Sequence, residues 1–174
     1  MKFTIITKQG EFIPLNQWQA LYGLEVGSNK IGRHFSIGEA AIHDGGKISE
    51  LVIRVLDRYR ELKGKAVIIN SLDRTQAKQE ELTAAGYRTA TFSPHVVGMA
   101  ADIDTLTEQD TYDQVSVIVK AAKLEGIKIR LGYHQYLADG NTFIHIDVCP
   151  EYYASTKPFY MHSHPKPWEN TIVW

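Results

Sequence analysis

Apolar and polar positions divide the chain into recognisable elements. "MKFTII" and "EFIPL" flank the turn-like "TKQG", which predicts a short β-hairpin. Residues 22–35, "YGLEVGSNKIGRHF", are rich in glycine and polar side chains and read as loop. Ser36 and Glu39 in "SIGE" have capping-box spacing and predict the start of a short helix. In "ISELVIRVLDRYRELKG", Ile48, Leu51, Val52, Val55, Tyr59 and Leu62 form a helical stripe, closed by Gly64.

"KAVIIN" is a short apolar run rich in β-branched residues and predicts a buried strand. "TQAKQEELTAAG" predicts a helix ending at Gly86. Another spans 108–125, with Val115, Ile118, Val119 and Ala122 on its apolar face and Gly126 as its stop. "IKIRLGYHQYL", the turn "ADGN" and "TFIHIDV" then read as a β-hairpin. Helices and strands alternate early and an antiparallel pair follows. The pattern predicts a single α+β domain over 1–174, mainly antiparallel sheet with flanking helices, rather than a doubly wound parallel sheet. Residues 157–168, "KPFYMHSHPKPW", read as an aromatic, proline-rich tail packed on the surface.

Composition narrows the function. A length of 174 residues suits one domain with a substantial core. A net charge of -1 with 22% charged residues leaves no nucleic-acid footprint and no polybasic membrane patch. The single cysteine, Cys149, excludes an intramolecular disulfide framework and a mainly thiolate zinc site. The amino end lacks the apolar core of a signal peptide, and no segment has transmembrane length. The expectation is a soluble protein, cytoplasmic as synthesised.

The candidate chemistry lies in two stretches. In "TFIHIDV", His145 and Asp147 share one strand face with Phe143, while Ile144, Ile146 and Val148 form a core stripe opposite. Such a polar face is either solvated or lines a cleft. In "SPHVVGMAADID", His95 and Asp102 flank Gly98, Ala100 and Ala101, which allow close backbone approach. His95, Asp102 and His145 together are a common three-ligand set for catalytic zinc, with a fourth position left for water. On spacing alone, a cleft-facing histidine paired with a carboxylate explains them as well.

Taken in order, these stretches resemble the M15 family of zinc D-Ala-D-Ala carboxypeptidases and phage peptidoglycan endopeptidases. Ser93, His95, Gly98, Ala100 and Asp102 match its Ser-x-His-x-x-Gly-x-Ala-x-Asp motif, and His145 and Asp147 match its His-x-Asp strand. Ser71, Arg74 and Thr75 in "NSLDRT" match its Ser-x-x-Arg-[Ser/Thr] segment, so the resemblance covers roughly residues 36–150. It implies a Hedgehog/DD-peptidase-like fold and Zn2+ held by His95, Asp102 and His145, with Arg74 facing the active site. The implied substrate is a D-Ala-containing peptidoglycan peptide, cut by carboxypeptidase or endopeptidase action. Without a signal peptide, the expectation is a phage or prophage enzyme released by a holin, or a cytoplasmic dipeptidase.

Arg74 suits its implied place, because a guanidinium offers a planar fork to a carboxylate or a developing oxyanion. At the start of a helix near Thr75, its charge would otherwise be slightly disfavoured. The general base departs from the family pattern. Where relatives carry a Glu or Asp three residues before the last ligand, or a His two before it, this chain has Thr142 and Phe143. His134, expected on the neighbouring hairpin strand, and Asp147 are equal candidates; Asp139 and Glu151 are more distant ones. Asp147 alternatively orients a zinc histidine. The missing acid also motivates a second reading, a catalytically inactive metal- or peptidoglycan-binding protein on the same fold. His34 and His43 lack partner spacing, His162 and His164 have ligand types but read as solvated in the proline-rich tail, the tyrosines at 133, 136, 152 and 153 read as packing groups, and Cys149 reads as buried and inert.

Overall fold

The computed structural model describes residues 3–38, 46–87, 93–152 and 171–173. His43, Tyr153, His162, His164 and the 157–168 tail lie outside the described residues. Strands β1 (Thr4–Ile6) and β2 (Phe12–Pro14) pair antiparallel, as the hairpin pattern predicts. Helix α1 (Leu15–Tyr22) follows at once and has no counterpart in the periodicity. Tertiary contacts hold it. Trp18 Nε1 donates to Ile31 O at 2.8 Å, and the Gln19 amide donates to the carbonyls of Ser28 and Lys30 at 2.9 Å.

Ile48 lies on a strand, β3 (Lys47–Ser49), parallel to β1, and not on the helical stripe expected of it. Ser49 explains the boundary. Its backbone is extended and its side chain accepts from Leu51 N, so helix α2 (Glu50–Lys63) starts one residue later. "SIGE" also departs from expectation: Ser36 bridges to Lys30, Ile37 and Gly38 form a turn, and Glu39 is outside the described residues.

The remaining elements are β4 (Ile69–Ser71), α3 (Gln76–Ala84), a 3-10 turn (Pro94–Val97), β5 (Ala100–Asp104) and α4 (Glu108–Glu125). Then come β6 (Ile129–Gly132), α5 (His134–Ala138), β7 (Phe143–Asp147), a second 3-10 turn (Cys149–Tyr152) and β8 (Thr171–Val173). The five-stranded sheet runs β4-β5-β7-β6-β8 with every neighbouring pair antiparallel, beside the three-stranded β2-β1-β3. The fold is α+β.

The expected hairpin needs one correction. β6 and β7 do pair, but the segment between them is helix α5, so His134 opens a helix instead of continuing a strand. Tyr136 packs at a tilt against Phe143 with ring centroids 3.8 Å apart, and half-burying those rings favours the turn of helix over an extended arm.

Register sorts the five-stranded sheet into two faces. Ile69 pairs with Ile103, Ile103 with Ile144, and Ala101 with Ile146, which pairs in turn with Leu131. These residues join Val52, Val55, Leu56 and Tyr59 of α2 and Ile118, Ala121 and Ala122 of α4 in one core. Each buried isoleucine or leucine there contributes about 1.5–3 kcal/mol. The opposite face carries Ser71, Asp102, His145 and Gly132 in one cross-strand row, and Ala100, Asp147 and Arg130 in the next.

Candidate metal centre

The polar row converges on one point. Asp102 and His145 are directly opposed across β5 and β7, and His145 Nδ1 lies 2.9 Å from Asp102 Oδ1. His95, on the 3-10 turn above the sheet, brings Nε2 to 3.1 Å from the same oxygen and 3.2 Å from His145 Nδ1. The three residues are 3, 9 and 5% exposed for His95, Asp102 and His145. Among the described residues they form the one such cluster of ligand-bearing side chains.

The turn carrying His95 is set by backbone contacts. Its Nδ1 lies 2.6 Å from Leu72 O, a carbonyl that only accepts, so Nδ1 carries the proton and Nε2 presents a lone pair. Arg74 N donates to His95 O at 3.2 Å, and Ser49 N donates to Gly98 O at 2.7 Å. Gly98 has φ 69°, and a Cβ there would stand 2.8 Å from Lys47 O. The glycine thus lets the turn lie against β3. Ala101 and Ala100 have separate tasks, one filling the apolar core and the other facing Asp147 across the strand pair.

The charges in the cluster are strongly coupled. Burial pushes the His95 imidazole below its ordinary value, outweighing the attraction of Asp102. Burial also pushes the Asp102 carboxyl up, but the two imidazoles overcome it and hold it well below the usual carboxylate range. For His145, burial opposes the charged form, yet hydrogen bonding to Asp102 and Asp147 raises it to about 9.

Arg74 borders the cluster. Nη2 donates to Ser71 Oγ at 3.1 Å and lies 3.5 Å from Asp102 Oδ2, while Nη1 donates to Gln79 Oε1 at 2.9 Å. Its Nε is buried with no hydrogen-bond partner among the described residues. Thr75 caps α3, accepting from Lys78 N at 3.1 Å, which leaves Arg74 just ahead of the helix.

The base candidates are placed less favourably. Asp147 is held by Arg130, whose Nε donates to its two oxygens at 3.0 and 2.8 Å; its Oδ2 lies 3.4 Å from His145 Nε2. Burial raises the Asp147 carboxyl, and Arg130 outweighs it, leaving it at about 2. His134 is exposed and stacks beside Tyr133 with centroids 4.2 Å apart. Asp139 is exposed, and Glu151 accepts from Lys128 N at 2.5 Å. His34 sits beside Glu61 at 3.5 Å, and Tyr152 donates to Thr7 O at 3.0 Å.

Two participants escaped the sequence reading. Gln79 lay unremarked in a polar helix, with no sign that it meets Arg74. Arg130 had a readable signal: it alternates with Ile129 and Leu131, on the phase that meets the polar face of β7.

Fold and site together define an α+β domain with a buried His–Asp–His cluster on the polar face of an antiparallel sheet. No family model matches the chain, and neither does any curated protein. Among solved structures the chain is similar to the Serratia marcescens L-Ala D-Glu endopeptidase ChiX, at 19% identity and a TM-score of 0.49, covering 59% of this chain and 81% of that one.

Proposed function

We propose that this chain is a zinc-dependent peptidase acting on D-Ala-containing peptides of the bacterial cell wall, as carboxypeptidase or endopeptidase. The observation that carries the reading is the convergence of His95 Nε2, Asp102 Oδ1 and His145 Nδ1, at 2.9, 3.1 and 3.2 Å from one another. Zinc–ligand bonds of about 2.0–2.1 Å in a tetrahedron give edges of about 3.3 Å, close to those separations. The donor set fits the ion. His95, Asp102 and His145 would hold it, and when bound zinc supplies a Lewis acid and a nucleophile at neutral pH.

The chain's own residues supply binding and orientation. Arg74 offers a guanidinium whose Nε has no hydrogen-bond partner among the described residues, suited to a substrate carboxylate or to charge developing on a carbonyl oxygen. Asp147 orients His145. That role supports its place behind the ligand rather than as proton acceptor, since Arg130 already occupies its oxygens.

A second reading, metal binding without hydrolysis, is favoured by one observation. Thr142 and Phe143 offer no base, and His134 is exposed on α5 rather than on the sheet. Metal analysis with digestion of purified peptidoglycan decides between them. One zinc per chain, with new termini at D-alanine bonds by mass spectrometry, supports the peptidase. Zinc without cleavage supports the second reading, and no zinc after reconstitution removes both.

A further inference from the structure

Arg130 is among the largest fully buried side chains described, yet it lies on the polar face of β6, directly across from Asp147. The side chains of this ion pair are 2 and 1% exposed. Arg130 Nε donates to both carboxylate oxygens at 3.0 and 2.8 Å, and Cys149 N donates to Oδ1 at 3.0 Å. Stability is a poor reason for such a pair. Removing two charges from water costs several kcal/mol each, and apolar replacements of like volume are often neutral or stabilising.

What the pair does achieve is a fixed carboxylate. Held through both oxygens, Asp147 keeps Oδ2 3.4 Å from Nε2 of His145, the ring nitrogen facing away from the cluster. The two histidines meet one requirement by different means. His95 bonds a backbone carbonyl, which the fold immobilises, so Nε2 faces the cluster. His145 faces a side-chain carboxylate, which rotates unless something holds it, and its Nδ1 enters the cluster.

We infer that Arg130 is a positioning residue of the metal centre: by clamping Asp147 beside Nε2 of His145, it selects the ring orientation and tautomer that present Nδ1 to the ion. The inference rests on the metal-binding reading above. Arg130 acts only through Asp147, and partners one shell out from a ligand are worth about 10–100-fold in metal affinity.

The test is a competition titration with zinc on the full chain, comparing the parent, Arg130→Met, Arg130→Lys and the double variant Arg130→Met with Asp147→Leu. The double variant removes both charges, so its folding does not depend on a stranded carboxylate. The dissociation constant rises about 10–100-fold in Arg130→Met and in the double variant, and less in Arg130→Lys. Cobalt-loaded protein shows a matching change in its visible spectrum. Independently, long-range proton–nitrogen correlation on the zinc-loaded parent finds His145 protonated at Nε2. A His145 protonated at Nδ1, or a folded double variant with parent affinity and parent cobalt spectrum, overturns the inference and leaves the metal reading standing. A parent that takes up no zinc overturns both.

Discussion

The ring of His95 is anchored from behind by Leu72, whose carbonyl oxygen lies 2.6 Å from Nδ1. The loop that anchors the histidine also carries Asp73 and Arg74, so cluster and candidate substrate contact are built on one segment. His95→Ala leaves Asp102 and His145 as a two-donor site. Losing a ligand should exceed the about 10–100-fold effect of losing an outer partner. Zinc affinity is expected to fall more than about 100-fold by competition with a chromophoric chelator. Parent-like affinity would exclude His95 as a ligand.

Gly98 is where the His95 turn touches the other sheet. Alanine there must adopt φ 69° and place a Cβ 2.8 Å from Lys47 O, a backbone atom that cannot swing aside. Gly98→Ala is expected to destabilise the metal-free protein by about 1–3 kcal/mol in urea unfolding, and to weaken zinc binding by shifting His95. A loss under about 0.5 kcal/mol would show that the two sheets separate easily at this point.

Arg74 touches Asp102 at 3.5 Å but is outside the donor set. Arg74→Ala should therefore leave zinc stoichiometry at the parent value while cleavage of cell-wall peptide falls about 100- to 1,000-fold. Arg74→Lys keeps the charge without the fork and should recover only part of the rate. Undiminished cleavage by Arg74→Ala would remove Arg74 from the site's chemistry.

Asp73 makes stability depend on pH. Burial pushes its carboxyl up to about 6, against backbone hydrogen bonds from Lys47 and Arg74 that pull it down. The folded value exceeds the unfolded value of about 3.9. The contribution is therefore fully present below about pH 3.9 and is lost as pH rises through about 6. Unfolding free energy of the parent minus that of Asp73→Asn should decline by about 2–3 kcal/mol between pH 4 and 7, on a constant offset from a lost backbone hydrogen bond. A difference that does not vary with pH would show that Asp73 is solvated.

What was legible in the sequence is what local physics determines. The stripe of α4 and its Gly126 stop follow from periodicity and from the left-handed conformation glycine tolerates, and the alternation of β7 puts Ile144 and Ile146 on one face and His145 on the other. The order of the motifs also singled out three side chains that the fold brings together. Less legible were features decided by distant partners. Helix α1 depends on carbonyls of Ser28, Lys30 and Ile31, and His134 is on a helix because Tyr136 finds Phe143. Arg130 resembles any strand arginine until its partner across the sheet is known to be Asp147.

The direct opposition of Asp102 and His145 has one more consequence. They lie on adjacent inner strands, and a side chain's face reverses with each residue of slip. A chain refolded with β7 displaced by one residue would retain its helices and most of its circular dichroism, yet it would turn His145 toward the apolar core and leave Asp102 without its partner across the sheet. Ion uptake by this protein would then serve as an assay of strand register, separating correctly threaded molecules from near-native ones that ordinary spectroscopy counts together.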